Sequence, residues 1–206
     1  MFVPHCTYPI YPHVMDKDWV SASHVAGHAV VGELLGFECL GLTIRWTDQH
    51  LGVCRWPGMP DQVFDQLQFQ RYGPADSEFD GVKDWVIRRT KSYLAGSVAE
   101  QQITGVFDLA WLTSDLNMIS VVTRNVFGLE GPFFDERLTS EIYYDVDLGL
   151  EIEDLGRVVD RARELWEDEV HQLLMEHQQW LHLVAAKLRD EEVLSGDTMR
   201  SLNDHG

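Results

Sequence analysis

The chain of 206 residues contains 34 acidic and 16 basic residues, which gives a formal charge of −18, and 45% of its residues are hydrophobic. This composition indicates a folded domain of ordinary size and excludes a chain that stays disordered. The negative charge argues against nucleic acid and against anionic membrane surfaces as partners, because both require clustered Lys and Arg.

The cysteines and the N-terminal residues indicate the cellular compartment. Three cysteines, at positions 6, 39 and 54, form neither a CxxC pair nor a disulfide framework, so we expect free thiols in a reducing compartment. The first twenty residues lack the basic start and apolar core of a signal peptide, and no apolar run reaches the length of a membrane span. We therefore expect a cytoplasmic protein without a membrane segment.

The N-terminal residues predict an arm followed by a helix. Three prolines favour an extended arm over 1–17, and one domain is expected over 18–206. Small and apolar residues predict a helix over about 19–35, with Asp18 as its N-cap and Gly36 just beyond its end. Two glycines inside this helix each cost about 1 kcal/mol relative to alanine, which suggests that either packing or access requires the absence of a side chain there.

The next segments predict a small amount of β-structure and a second helix. Strand-forming residues over 40–46 and 51–57 predict a β-hairpin, alone or within a three-stranded piece. Prolines and glycines predict a long loop or short helices over 57–81. Apolar residues at helical spacing then predict a helix over about 82–105.

The remainder of the chain predicts further helices. Residues 107–128 are expected to form a loop and then a helix, with Asp115 in its first turn. The acidic, turn-rich residues 130–156 predict a surface loop. Apolar residues over 157–190 predict a long amphipathic helix or two in tandem, and Ser195 can start a last short helix. The fold class predicted is mainly α with a small β-hairpin or sheet.

Two histidines have the spacing of a metal site. His24 and His28 stand four residues apart on the first predicted helix, so both imidazoles lie on one face and can bind one ion. With nine histidines in the chain, such a pair also arises by chance. Two ordinary core or surface histidines therefore remain an alternative on spacing alone.

Four segments, in order along the chain, resemble one family. HVAGHAVVGELLG (24–36) is similar to the HEAGHAVVGxLL segment of the FtsH-type ATP-dependent zinc peptidases. The predicted hairpin stands where that family has its edge-strand hairpin. SYLAGSVAEQQITG (92–105) resembles the family segment LLGGRAAEEIxFG, and LTSDLNMISVVTRNVFG (112–128) resembles its helix beginning ASNDLxxAT. The stretch 158–202 resembles its C-terminal helices.

The resemblance implies a helical fold like the FtsH peptidase domain, and it implies particular site residues. By position, His24, His28 and Asp115 would be the ligands of Zn²⁺, with a fourth coordination position left open for water. Glu100 would orient one of the ligand histidines. Two alternatives remain open: Asp115 can be an acidic residue favoured at a helix N-terminus, and Glu100 can be a solvated helix residue.

The chain departs from the family in two respects. Val25 occupies the position of the family's catalytic glutamate, and valine cannot take a proton from water or return one to a leaving amine. The chain also lacks the GxxxxGK[ST] phosphate loop of the family's ATPase. The motor that unfolds substrates would therefore have to be a separate ATPase partner.

Three interpretations follow from these residues. The first is a stand-alone pseudopeptidase that keeps the metal ligands and still holds an extended peptide or protein at the hairpin edge. The second is an active zinc-dependent metalloendopeptidase with a displaced base, for which Glu100 is the main candidate. The third is a metal-free structural or interaction protein. We expect basic or neutral partners in each case, since the chain is strongly acidic.

Overall fold

A computed structural model describes residues 16–45, 52–57, 80–105, 115 and 152–203. Its elements, in chain order, are α1 (Lys17–Leu34), β1 (Gly41–Thr43), β2 (Val53–Arg55), α2 (Asp80–Thr104), α3 (Ile152–Glu176), α4 (Gln178–Glu191), β3 (Val193–Ser195) and α5 (Gly196–Ser201). The described part is therefore mainly helical with one small antiparallel sheet, as the sequence predicts. None of its helices combines the length and the apolar character needed to cross a membrane.

Helix α1 is the centre of the core. Every side chain from Ser21 to Gly32 is buried, and α1 packs most extensively against α2 and then against α4. A Cβ at Gly27 would lie 2.3 Å from the carbonyl oxygen of Ala95 on α2. A Cβ at Gly32 would lie 2.0 Å from the ring of Trp56. Of the two reasons predicted for these glycines, packing is the one observed.

The two ends of α1 differ in how well the sequence predicts them. The N-cap is Asp16, whose carboxylate accepts a hydrogen bond from the Asp18 amide at 3.1 Å. The prediction of Asp18 as the N-cap is wrong, because the helix begins earlier, at Lys17. Lys17 therefore belongs to the helix rather than to the arm. Residues 1–15 of the predicted arm lie outside the described residues. Gly36 has a φ of 84° and follows the helix end as predicted, in the left-handed conformation that favours glycine.

The sheet has the order β2-β1-β3, with both strand pairs antiparallel. Leu42 in β1 stands opposite Cys54 in β2 and opposite Leu194 in β3. The predicted hairpin is confirmed, and the three-stranded alternative is the one observed. Glu192 ends α4 with a φ of 60° and turns the chain into β3. The sheet thus joins residues close to α1 with the C-terminal part of the described chain and leaves β2 as an outer strand.

The C-terminal helices begin earlier than predicted. Helix α3 starts at Ile152, so the loop prediction for 130–156 is wrong over its last five residues. Acidic residues near the start of a helix interact favourably with the helix dipole. Residues 151, 153 and 154 of this chain are acidic. Helices α3 and α4 meet at His177, which confirms two helices in tandem.

Other predicted boundaries are partly testable. Helix α2 starts at Asp80 rather than near residue 82. Residues 58 to 79 of the predicted loop before it lie outside the part of the chain that the structure describes. The helix predicted within 107–128 is also outside them, except for Asp115, whose backbone is helical. Ser195 accepts a hydrogen bond from the Thr198 amide at 3.1 Å and caps α5, as predicted.

Candidate metal centre

Three of the predicted site residues meet at one point in the core. His24 and His28 are 4% and 8% exposed on α1, and their imidazole rings lie edge to face. The Nε2 atoms of these histidines are 3.0 Å apart. Asp115 Oδ2 lies 2.9 Å from the Nε2 of His24 and 3.3 Å from that of His28. The fold therefore brings one atom from each of these side chains into mutual contact.

The spacing of these atoms matches the dimensions of a metal site. Tetrahedral zinc has bonds of about 2.0–2.1 Å to nitrogen and oxygen, so two of its ligand atoms are about 3.3 Å apart. The observed separations of 2.9, 3.0 and 3.3 Å are equal to that value or a few tenths of an ångström shorter. The cluster of His24, His28 and Asp115 could thus hold a metal ion after a small expansion.

The outer nitrogen of each imidazole fixes its tautomer. His28 Nδ1 lies 2.8 Å from the backbone carbonyl oxygen of Ser92, which can only accept, so Nδ1 is the protonated nitrogen. His24 Nδ1 lies 3.2 Å from Glu100 Oε2, and it donates to that carboxylate. In the neutral form of both rings, each Nε2 atom consequently presents a lone pair to the centre of the cluster.

The centre therefore contains three converging acceptor atoms, and a cation is what such a set requires. Burial opposes charge on His24, but the carboxylates of Asp115 and Glu100 outweigh it and raise the pKa of His24 to about 9. Burial also opposes charge on Asp115, but the two histidines hold the pKa of that carboxyl well below its ordinary value. A proton on His24 partly neutralises the cluster, and a bound metal ion would replace that proton.

Glu100 is buried, and its position limits its role. The side chain is 1% exposed, so the alternative of a solvated helix residue is wrong. Glu100 contacts the Nδ1 atom of His24, on the opposite side of the ring from the converging lone pairs. A carboxylate in that place orients the imidazole and increases its basicity. It is badly placed to take a proton from water at the centre.

Gly96 is a site residue that the sequence analysis missed. A Cβ at this position of α2 would lie 2.5 Å from His28 Nε2 and 2.7 Å from His24 Nε2. Any side chain here would enter the space between the two imidazoles. A glycine in the middle of a helix was the available signal, since it costs about 1 kcal/mol relative to alanine.

Val25 belongs to the apolar core beneath the hairpin. It is 1% exposed, and its Cγ2 atom lies 2.7 Å from where a Cβ at Gly52 would stand. Glu33, the next acidic residue of α1, accepts hydrogen bonds from Arg200 at 2.7 Å and from the Cys39 amide at 2.8 Å. Its carboxylate therefore holds other parts of the fold together.

An aromatic cluster with a buried cation borders the centre. The guanidinium of Arg89 lies about 5 Å from the ring centroids of Phe37, Trp56 and Tyr93. Tyr93 in turn lies edge to face with His28 at 6.4 Å, and burial raises the pKa of its hydroxyl. These contacts connect α2 with the hairpin and give the imidazole of His28 a rigid neighbour.

Two imidazoles and one carboxylate are a ligand set that polarises water or a carbonyl group when it holds a divalent cation. No protein-family model matches the chain, and no curated protein matches it either. The chemistry of the residues at this centre is therefore the main basis for assigning a function.

Proposed function

We propose that the chain is a stand-alone, FtsH-like peptidase domain that binds zinc through His24, His28 and Asp115 and has lost the general base. The observation that supports it most strongly is the convergence of three acceptor atoms, with both Nδ1 atoms occupied by other partners. Without a metal ion this arrangement needs a proton between the three atoms, and a bound ion would replace that proton.

Zinc is the ion that suits these ligands best. Magnesium and calcium prefer sets composed of oxygen atoms, whereas a set of two imidazoles with one carboxylate is typical of catalytic zinc. A fourth position would remain for water or for a carbonyl oxygen of a bound peptide. Ser92 and Glu100 would hold the two histidines in the correct orientation through their Nδ1 atoms.

The loss of the carboxylate at Val25 favours binding over turnover. General acid–base catalysis contributes about 10²–10⁴-fold to such a reaction, and an isopropyl group supplies none of it. Strand β2 lies at the outer edge of the described sheet, where an extended peptide can add by backbone hydrogen bonds. The proposed activity is thus recognition of an extended peptide or protein, with weak or no proteolysis, and a separate ATPase would have to deliver folded substrates.

The competing proposal of an active peptidase with a displaced base receives little support from Glu100. Among the described residues, the carboxylates that contact the two imidazoles are those of Asp115 and Glu100. Asp115 is a proposed ligand, and Glu100 faces the opposite side of His24. Neither of these positions suits a base that acts on metal-bound water.

The first experiment measures zinc by elemental analysis on protein purified without metal-affinity resin. We expect about one zinc per chain in the parent, and loss of zinc in His28→Ala. His171→Ala is the matched control, because His171 is exposed on α3 and its variant should keep the zinc. Absence of zinc after addition of the metal would refute the proposal, as would zinc retained by His28→Ala.

The second experiment restores the missing base. Zinc-loaded Val25→Glu should degrade an unfolded protein substrate faster than the parent, by up to about 10²–10⁴-fold. Val25→Gln is the matched control, since it has the same length but cannot accept the proton, and it should remain as slow as the parent. Equal rates for the two zinc-loaded variants would mean that the loss of a base does not explain the low activity.

A further inference from the structure

A second pair of reactive side chains lies within the hairpin, apart from the metal ligands. The Sγ atoms of Cys39 and Cys54 are 3.6 Å apart, and both cysteines are free thiols. Cys39 precedes β1 and is fully buried, whereas Cys54 lies in β2 and is half-buried. Two sulfur atoms in contact form a dithiol, in which each thiol is the nearest reaction partner of the other.

The backbone on both sides of this dithiol is held in place by hydrogen bonds. The Cys39 amide donates to Glu33 Oε1 at 2.8 Å, and its carbonyl oxygen accepts from Arg200 Nη1 at 3.1 Å. Cys54 stands opposite Leu42 in the β1–β2 ladder. A disulfide requires a sulfur–sulfur distance of about 2.05 Å, so the two atoms must approach by about 1.5 Å. Side-chain rotation within a fixed backbone can supply such a movement.

The two thiols also differ in acidity. The thiol of Cys54 and the amide of Gly41 stabilise the thiolate of Cys39 by hydrogen bonding and lower its pKa, although burial opposes this. Burial raises the pKa of Cys54 well above its ordinary value. Cys39 is thus the better nucleophile and reacts first, and Cys54 is the thiol that reacts second, with the oxidised Cys39.

We propose that Cys39 and Cys54 form a reversible dithiol–disulfide site that reacts with hydrogen peroxide and fastens β2 to the rest of the sheet. Cys39 is fully buried, so the peroxide reaches it when β2 separates locally from the sheet edge. The Cys39 thiolate attacks one peroxide oxygen, the O–O bond breaks, and a sulfenic acid and water are formed after proton uptake. The Cys54 sulfur then attacks the sulfenic sulfur, the S–O bond breaks and a second water leaves. Two thiols are oxidised to one disulfide, and the peroxide is reduced to two water molecules.

The disulfide would change the mobility of β2. This strand has three residues and lies at the outer edge of the described sheet, so its separation from β1 is an inexpensive local opening. A disulfide that closes a loop of about 15 residues disfavours such an opening by roughly a hundredfold. The amide protons of Val53 and Arg55 should therefore exchange about a hundredfold more slowly after oxidation.

The test uses Cys6→Ser, so that Cys39 and Cys54 are the cysteines that remain. After treatment with dilute hydrogen peroxide, we expect the loss of two hydrogen atoms by intact-mass spectrometry and a Cys39–Cys54 peptide in the digest. Dithiothreitol should restore both thiols. Sulfinic or sulfonic acids, intermolecular dimers, or unreacted thiols under conditions that oxidise free cysteine would each overturn the proposal.

Two single variants assign the order of the reaction. In Cys54→Ser, a sulfenic acid should accumulate on Cys39 and should be trapped by a dimedone probe, because no second thiol is available. In Cys39→Ser, the remaining thiol of Cys54 should react at least about tenfold more slowly with peroxide. If Cys39→Ser fails to fold, Cys54→Ser still decides, since its side chain is half-buried. Absence of trapped sulfenic acid there would contradict the assignment of the nucleophile.

Discussion

Replacing Gly96 by alanine is the sharpest test of the metal centre. The new methyl carbon would lie 2.5 Å from both Nε2 and Cε1 of His28 and 2.7 Å from Nε2 of His24. Carbon atoms in contact are about 3.5–4.0 Å from their neighbours, so the imidazoles or the helix must move by about 1 Å. Helix α2 cannot easily recede, because Gly27 of α1 packs directly against the backbone of Ala95. We therefore expect the imidazoles to move.

Metal binding should suffer more than folding in this variant. Alanine stabilises a helix by about 1 kcal/mol relative to glycine, which partly offsets an overpacking cost of about 1–3 kcal/mol. The net loss in the free energy of unfolding should be at most about 2 kcal/mol. Zinc ligands must lie within about 0.2 Å of their required distances, so a displacement of about 1 Å should weaken zinc affinity by at least a hundredfold, or about 2.7 kcal/mol.

The assay is competition for zinc with a chromophoric chelator, and urea unfolding of the zinc-free protein is measured in parallel. Ser97→Ala is the control, because Ser97 is the next residue of α2 and donates to the Leu94 carbonyl oxygen rather than contacting the imidazoles. That variant should keep the zinc affinity of the parent. A folded Gly96→Ala protein with unchanged affinity would refute the argument that this glycine leaves room for an ion.

Three further predictions concern the surroundings of the centre. Glu100→Gln should retain the fold but weaken zinc affinity about 10–100-fold in the chelator assay, because the carboxylate on His24 Nδ1 is lost. In zinc-free protein, the raised pKa of His24 contributes stability that is fully present below pH 6.5 and lost as the pH rises through about 9. The depressed pKa of Asp115 contributes stability that is present above pH 3.8 and lost on acidification. Urea unfolding should therefore be most difficult between pH 3.8 and pH 6.5, and it should become easier below and above that range. Arg200→Ala should lower the free energy of unfolding by about 1–3 kcal/mol in urea, since the partly buried Glu33 loses its cationic partner.

The features that the sequence predicts correctly depend on local signals. Helix α1 and the glycine after it follow from a run of small and apolar residues that ends at Gly36. The HxxxH spacing places His24 and His28 on one face without any knowledge of the fold. The hairpin and the tandem C-terminal helices likewise follow from periodicity and turn residues within short windows. Each of these predictions needs only neighbours in sequence.

The features that the sequence does not predict depend on contacts between residues that are distant along the chain. Strand β3 has three residues and pairs with a strand about 150 positions earlier, so its local sequence contains little information about its partner. Gly96 is understandable only when α2 lies across the two imidazoles. The Ser92 carbonyl that fixes the His28 tautomer is a backbone group, which no side-chain motif reveals. Tertiary packing decides all three features.

The hydrogen-bond pattern at the centre shows which proton a metal ion would have to displace. One proton on His24 Nε2 can serve both Asp115 at 2.9 Å and the lone pair of His28 at 3.0 Å. A second proton on His28 would serve Asp115 at 3.3 Å but would place two donors against each other. The first state satisfies the three atoms with one proton, whereas the opposed donors of the second state cost about 1–3 kcal/mol. A single tetrahedral ion accepts all three lone pairs at once, and the substitution at Val25 leaves those lone pairs untouched. Under the proposed function, the chain lacks the means of proton transfer at Val25 but keeps the three atoms that would hold the ion.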